Sequence, residues 1–153
     1  MKSAFEKTAW SAAYTQAVRL LSGREHSQLE LRQKMQRKGH PRDLIDAMLV
    51  YLQDLDMQSD QRFTEAFIRS RIIRLQGPMK ILAQLSQRGI RVNNLEDYLP
   101  ADHDWDAMAA AALSRGTVIR ATDRQKLIEK SYRRLVNRGF SHGQAMKAAK
   151  NAL

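Results

Sequence analysis

Histidine and carboxylate side chains are the groups in this sequence that could bind a metal or transfer protons. The run Asp102–Asp106 has the spacing that begins a calcium-binding loop. However, Ala107 stands at its sixth position and Leu113 at its twelfth, where such a loop needs Gly and Glu. An acidic helix start at Asp104 is the better interpretation. The histidines each lie near a predicted helix boundary and form no His-x-x-x-His metal pair: His26, His40, His103 and His142.

Motifs for catalysis are absent from the sequence. It contains no Cys, which excludes disulfides, thiolate zinc sites, iron–sulfur clusters and a cysteine nucleophile. It also lacks a Gly-rich phosphate loop and a Gly-x-Ser-x-Gly nucleophile elbow. We therefore predict a protein that is not an enzyme, with no catalytic residue, no metal site and no cofactor.

Basic side chains carry the clearest functional signal. The 153 residues include 26 Lys and Arg against 16 Asp and Glu, which gives a net charge of +10, and no acidic residue occurs from Ala66 to Leu95. This segregation favours a surface for a polyanion or an acidic protein groove, although helical proteins also carry Lys and Arg on solvated faces. We predict that the basic, partner-binding face comprises Arg24, Arg69, Arg71, Arg74, Lys80, Arg88, Arg124, Lys126, Lys130 and Arg134.

A repeat of 50 residues indicates which elements position these side chains. The segments 35–39, 85–89 and 135–139 share one pattern, in which a large apolar residue and two variable residues precede a base and a glycine. Each predicts a helix C-terminus, because glycine adopts the left-handed conformation without steric cost and the base faces the negative end of the helix dipole. The predicted structural caps are Gly39, Gly89 and Gly139.

Helix starts occur at matching places. Residues 27–30 (Ser-Gln-Leu-Glu) form a capping box, and Pro78 suits the first position of a helix. Residues 122–125, which begin with Thr122, and residues 141–144, which begin with Ser141, are two further candidate boxes. Apolar residues between these signals recur at spacings of three and four, which predicts helices throughout.

The sequence therefore predicts an all-α fold of three tandem three-helix repeats, about nine helices, in an elongated, curved array. We place a partly helical leader at residues 1–10 and repeats at 11–57, 58–103 and 104–153. The third helix of the second repeat is expected around Leu95, Tyr98 and Leu99. Because the sequence has neither a signal peptide nor ~18 consecutive apolar residues, we expect a cytoplasmic protein without a membrane segment. With its charge segregated along the chain, we expect it to be a monomer.

Five aromatic residues could offer stacking platforms for bases. Their helical spacing among apolar residues favours core packing instead. They are Phe63, Phe67, Trp105, Tyr132 and Phe140.

Residues 17–31, 60–71 and 77–90, together with blocks between residues 104 and 140, resemble in that order the RecX family, whose members regulate the RecA recombinase. Residues 17–31 closely resemble the opening of that family, and residues 60–71 resemble its second block. Gly77-Pro78 and the segment 81–90 are similar to the third block. Asp104-Trp105, residues 124–126 and residues 135–140 are similar to the C-terminal portion.

The resemblance implies a regulatory protein that binds the filament formed by RecA on single-stranded DNA. It further implies inhibition of the filament's ATPase, strand-exchange and co-protease activities, and hence modulation of recombination, DNA repair and the SOS response. The residues themselves leave an alternative open, a general nucleic-acid-binding protein built from basic helical repeats. Direct contact with single-stranded DNA is compatible with either interpretation.

Overall fold

The computed structural model describes residues 6–152 and confirms the all-α fold class. Within those residues there are eight α-helices, one 3-10 helix and no strand. The α-helices are α1 (Lys7–Gly23), α2 (Gln28–Arg37), α3 (Arg42–Asp54), α4 (Asp60–Ile73), α5 (Pro78–Gln87), α6 (Trp105–Arg115), α7 (Arg124–Asn137) and α8 (His142–Asn151).

The described residues form two compact units, and the first contains those up to Ala66 together with Gln87–Ile90. In this unit α1, α2 and α3 pack against one another. Burial of a Leu- or Ile-sized side chain contributes about 1.5–3 kcal/mol, so the shared core dominates the stability of the unit. That core consists of Trp10, Ala13, Ala17, Leu31, Met35, Leu44, Ile45, Met48, Leu49 and Leu52.

The second unit contains Phe67–Ser86 and the described residues from Arg91 onward. Here α6, α7 and α8 pack against one another. Their core is rich in alanine, which allows the helices to approach closely but buries fewer apolar atoms per residue. Its buried residues are Ala109, Ala112, Leu135, Phe140, Ala145 and Ala148.

Side-chain caps begin several helices. The Ser27 hydroxyl accepts a hydrogen bond from the Glu30 amide, and the Glu30 carboxylate accepts one from the Ser27 amide, so the predicted capping box is confirmed. Ser141 and Gln144 form the same box at α8. The box predicted from Thr122 is wrong, because Asp123 is the capping residue and its carboxylate accepts from the Lys126 amide at 2.8 Å.

Left-handed glycines follow the three middle helices of the predicted repeats. In α2 the Gly39 amide donates to the carbonyl of Gln36 at 2.9 Å, and the His40 amide donates to the carbonyl of Met35 at 3.2 Å. This pair of hydrogen bonds forms the Schellman motif, which requires a left-handed residue after the cap. The φ angles are +86° for Gly39, +77° for Gly89 and +96° for Gly139.

In the second unit the main chain at the start of α5 packs directly on the end of α7. The Gly77 amide donates to the Arg138 carbonyl at 2.7 Å, and the Met79 amide donates to the Gly139 carbonyl at 2.8 Å. A Cβ atom on Gly139 would lie 2.2 Å from the Cβ of Lys80, and one on Gly77 would lie 2.3 Å from the carbonyl carbon of Gly139. Both glycines are therefore required for this close approach.

The predicted third helix of the second repeat is wrong as an α-helix. The chain instead forms a four-residue 3-10 helix at Leu95–Tyr98, capped by the Asn94 side chain. Pro100 disfavours helical backbone at Leu99, so there is no room for a full α-helical turn after Tyr98. Only Leu95 of this short helix is buried.

The first helix begins earlier than the predicted repeat boundary at residue 11. It starts at Lys7, within the predicted leader, and Trp10 is already part of the core. Residues 1–5 of that leader lie outside the described residues.

The aromatic side chains divide between core and surface. Phe63, Phe67 and Phe140 are buried, as their spacing predicts. Trp105 and Tyr132 are half-buried and pack against the core of the second unit. The Trp105 indole N–H donates to the Glu96 carboxylate at 3.1 Å, so this ring is held in place by a polar contact as well.

Candidate partner-binding surface

Arg24 and Arg88, both predicted for the basic face, lie beside one carboxylate in the first unit. The Arg24 guanidinium donates to both oxygens of Glu30, at 2.9 and 3.1 Å, and Arg88 lies 3.7 Å from the same group. Burial raises the pKa of Glu30, but the hydrogen bonds from Arg24 and from the Ser27 amide outweigh it and lower the pKa overall. Glu30 therefore holds both cations at the start of α2.

A buried histidine lies next to this ion pair. His26 is only 2% exposed. Its Nδ1 lies 3.1 Å from the Arg24 carbonyl and its Nε2 lies 2.9 Å from the Nζ of Lys34. The ring is therefore neutral, with Nδ1 donating to the carbonyl and Nε2 accepting from the ammonium group. Burial, followed by the charges of Arg24 and Lys34, lowers the pKa of His26, and the hydrogen bond to the Arg24 carbonyl only partly opposes this.

Arg71 connects two helices of the second unit. Its guanidinium carbon lies 4.2 Å from the centre of the Phe67 ring, and its Nε donates to the Gln84 side chain at 3.0 Å. A stacked guanidinium that also bonds across to α5 stabilises the fold. Arg71 is therefore occupied by intramolecular contacts.

Three other predicted residues bond to main-chain carbonyls of the second unit. Arg134 donates to the Thr117 carbonyl at 2.6 Å, and Lys130 donates to the Arg120 carbonyl at 2.7 Å. These two bonds fasten the segment between α6 and α7. Lys80 donates to the carbonyl of Asn137 at 3.4 Å, near the end of α7.

The remaining four predicted cations extend into solvent. Arg69 and Arg74 lie on or just after α4, and Arg124 and Lys126 lie in the first turn of α7. All four are exposed, and none has a side-chain hydrogen bond or an ion pair among residues 6–152. Ile73, beside Arg74, is 78% exposed, an unusual position for a large apolar side chain.

Sequence reasoning missed the cations whose partners are distant along the chain. Arg62 donates to Glu25 at 3.0 Å and to Asp56 at 2.8 Å, and an ion pair also joins Arg32 to Asp46. Glu25 lies 37 positions from Arg62, so no local spacing could have revealed the pair.

A search for metal-binding groups covers the part of the chain that the structure describes. There, no cluster of three or more His, Cys, Asp or Glu residues is arranged to hold a metal ion. Among the described helices, none combines the length and the apolar character required to cross a bilayer.

These features define a class of protein, a basic all-helical protein built from three-helix modules that presents solvent-exposed cations. Residues 13–52 match the family model described as the first three-helix domain of RecX, and residues 59–99 match the model of its second three-helix domain. The chain belongs to the RecX family.

Relatives of this chain share most of its length. The regulatory protein RecX of Halorhodospira halophila is 38% identical over 136 residues, which cover 87% of this chain and 83% of that protein. The regulatory protein RecX of Chromohalobacter salexigens is 36% identical and aligns over 89% of this chain and 90% of its own length.

A crystal structure of RecX from Lactobacillus salivarius has the same fold. It superposes with a TM-score of 0.74, at 24% sequence identity, over 96% of this chain and 98% of that chain. The shared fold therefore includes nearly the whole chain and not only the matched residues 13–52 and 59–99.

Proposed function

We propose that this protein binds the nucleoprotein filament of RecA on single-stranded DNA and inhibits its ATPase, strand-exchange and co-protease activities. Through that inhibition it modulates recombination, DNA repair and the SOS response in the cytoplasm. The observation that carries the proposal is family membership over most of the chain, at 38% identity to a protein named as a RecX regulatory protein. The proposed unit of action is a monomer with repeats at 11–57, 58–103 and 104–153.

The exposed cations of the second unit support an acidic or phosphate-bearing partner. Arg69 and Arg74 lie in the acid-free segment from Ala66 to Leu95, where no carboxylate of the same segment neutralises them. Arginine at the rim of an interface mainly accelerates association and selects a partner of opposite charge. We assign the contact to Arg69, Arg74, Arg124 and Lys126.

The decisive experiment titrates this protein into RecA that is hydrolysing ATP on single-stranded DNA at physiological salt. We expect hydrolysis to fall at well below one molecule per recombinase, because one molecule bound to a filament affects several subunits. Unchanged hydrolysis at an equimolar ratio would refute the proposal.

A second candidate function, general nucleic-acid binding, is favoured by the net charge of +10. It predicts tight binding to bare DNA, with log affinity falling linearly as log salt rises. Tight binding to bare DNA without any effect on RecA hydrolysis would select this alternative.

A charge-reversal variant tests the assigned contact. Because the side chains of Arg69 and Arg74 have no hydrogen bond or ion pair with any described residue, Arg69→Glu with Arg74→Glu should leave helical content unchanged and raise the concentration for half-inhibition roughly tenfold. Arg42→Glu with Lys150→Glu, two exposed cations elsewhere, makes the same change in net charge and serves as the control. Equal loss in both variants would mean that overall charge, rather than this surface, governs inhibition.

A further inference from the structure

Exposed apolar side chains lie around the joint between the start of α5 and the end of α7 in the second unit. Ile73, the last residue of α4, is 78% exposed, and Met79, in the first turn of α5, is 59% exposed. Val136, in the last turn of α7, is 41% exposed. Single exposed apolar residues are ordinary on a protein surface, whereas neighbouring ones mark an interaction site.

Hydrogen bonds bring these parts of the chain together. The Met79 amide donates to the Gly139 carbonyl at 2.8 Å, so Met79 lies at the end of α7. The Arg138 guanidinium donates to the carbonyl of Arg74, the residue after Ile73, at 3.4 Å. The end of α7 therefore contacts both the segment that follows α4 and the start of α5.

The main chain between α4 and α5 is held in one conformation. Leu75 is left-handed, with a φ angle of +59°, which leucine rarely adopts. Its amide donates to the Ile72 carbonyl at 3.0 Å, and the Gln76 amide donates to the Arg71 carbonyl at 3.0 Å, as in a Schellman motif. The Leu75 side chain packs against the core of the second unit. The exposed apolar residues on either side of this turn therefore stand on a backbone that needs no ordering when a partner binds.

Cations border the exposed apolar residues. Arg69 and Ile73 are four positions apart on α4, so their side chains are neighbours on one face of the helix, and Arg74 follows directly. No acidic residue occurs from Ala66 to Leu95. Protein interfaces are enriched in Met and Arg and depleted in Asp and Glu. The partner that fits this surface has an apolar pocket with carboxylates at its rim.

A nucleic acid would match the arginines but not the apolar residues. Its backbone offers phosphate oxygens and sugars, and its bases stack on aromatic rings rather than on aliphatic side chains such as those of Ile73 and Met79. A protein pocket buries such side chains favourably, because their apolar surface leaves water.

We propose that Ile73 and Met79 insert into an apolar pocket on a recombinase subunit of the filament, and that carboxylates around the pocket face Arg69 and Arg74. This inference rests on the proposed function and deepens it, because it assigns the contact to the protein component of the filament rather than to its DNA.

The test measures inhibition of RecA hydrolysis by a variant that carries Ile73→Ser and Met79→Ser. Because both side chains are exposed, circular dichroism should show unchanged helical content. We expect the concentration for half-inhibition to rise roughly tenfold, as for the loss of central interface residues. The rise should be the same at about 50 and 200 mM salt, because salt screens charges and not apolar contacts.

Two further variants serve as controls. Leu55→Ser with Val118→Ser removes two apolar side chains that are similarly exposed, at 50% and 81%, and should inhibit like the unaltered chain. Ile73→Leu with Met79→Leu keeps the apolar surface and should inhibit nearly as well. Binding of the serine variant to a fluorescent oligothymidylate, measured by anisotropy, should equal that of the unaltered chain.

The outcomes separate this inference from the function on which it rests. Full inhibition by the Ile73→Ser, Met79→Ser variant, or an equal loss in the Leu55→Ser, Val118→Ser control, would overturn the inference alone. A matching loss of oligothymidylate binding would also overturn it, because these residues would then contact nucleic acid. Absence of inhibition by the unaltered chain would refute the proposed function, and the inference with it.

Discussion

At the scale of single residues, His26 shows how a side chain without an apparent role becomes part of a network. The sequence places it beside a helix cap and suggests no partner for it. In the fold, Lys34 contacts its ring, and the Gln58 side chain donates to its main-chain carbonyl at 3.2 Å. Gln58 in turn donates to Asp60 at 3.0 Å. The network therefore ties the start of α2 to the segment that leads into α4.

This network makes the first unit sensitive to acid. Because the pKa of His26 is lowered in the folded protein, the unfolded chain takes up the proton first as the pH falls below the ordinary value of 6.5. Stability is then lost between pH 6.5 and the folded-state pKa, and the loss stops below it. The facing charges are Arg24 in the preceding turn and Glu30 and Lys34 on α2.

The prediction is that His26→Gln reduces the fall in unfolding free energy between about pH 7 and pH 5, since the titrating ring is gone. Urea denaturation at both pH values measures it. His142→Gln, at an exposed position, is the control and should keep the fall seen in the unaltered chain. A fall of the same size in His26→Gln would show that other groups, such as Glu30, cause the acid sensitivity.

Part of the candidate surface could be predicted from sequence and part could not. Net charge and the acid-free segment identify the basic residues, because both are properties of composition. They do not distinguish Arg69 from Arg71, although only one residue lies between them. The Arg69 side chain extends into solvent, whereas the Arg71 guanidinium stacks on the Phe67 ring. That distinction depends on where helix α5 places Gln84, and no pattern along the chain encodes it.

At the scale of elements, the glycine that ends each middle helix has two separate roles. All three glycines relieve left-handed strain, but their surroundings differ. An added Cβ would meet nothing within 4 Å at Gly39, the Leu29 side chain at 3.0 Å at Gly89, and Lys80 at 2.2 Å at Gly139. The repeat pattern predicts the first role, whereas the second depends on which helix lies next to the cap.

Alanine substitutions separate the two roles. Gly39→Ala should lower the free energy of unfolding by about 1–2 kcal/mol, the cost of a left-handed Cβ alone. Gly139→Ala should cost roughly 3 kcal/mol or more, because Lys80 and the two main-chain hydrogen bonds of α5 must also move. Chemical denaturation of both variants measures the difference. Equal losses would show that the contact with α5 yields without cost.

The helices themselves were largely predictable, because caps and apolar spacing are local signals. Ser27, Pro78 and Ser141 begin helices where their chemistry places them. The sequence failed at Leu95–Tyr98, where apolar spacing suggests a helix and Pro100 ends it after one short turn. Pro100 is itself a local signal, because a proline disfavours helical backbone at the residue before it, and the prediction gave the apolar spacing too much weight against it.

At the scale of the whole molecule, some of the basic side chains form ion pairs within the protein and others extend into solvent. Arg24, Arg62 and Arg88 neutralise carboxylates of the first unit, whereas Arg69 and Arg74 keep their charge available. Exposed charges are screened over ~10 Å at 0.1 M salt, and the partly buried pairs are screened less.

Salt should therefore weaken partner binding before it weakens the fold. We predict that the concentration for half-inhibition of RecA hydrolysis rises several-fold between about 50 and 200 mM salt. The midpoint of urea unfolding should stay nearly constant over that range, because the apolar cores carry the stability. Inhibition that is independent of salt would contradict an electrostatic contact.

Compact units were harder to foresee than helices. The sequence suggests boundaries at acidic or proline-containing junctions, yet the division between the two units falls between Ala66 and Phe67, inside α4. No change of composition marks that point. The boundary inside α4 depends on which residues each part of the helix contacts, and the sequence does not give those contacts. The repeat limits at residues 57 and 103 stay a prediction.

The joint between α5 and α7 also bears on how such chains evolve. The hydrogen bonds of this joint are formed by main-chain amides and carbonyls. The joint therefore depends on side-chain identity mainly at Gly77 and Gly139, where a Cβ atom would not fit. Met79, which is 59% exposed beside this joint, can therefore be replaced without loss of these hydrogen bonds. Selection for a new partner can therefore act on such exposed positions while the main-chain joint between α5 and α7 stays unchanged.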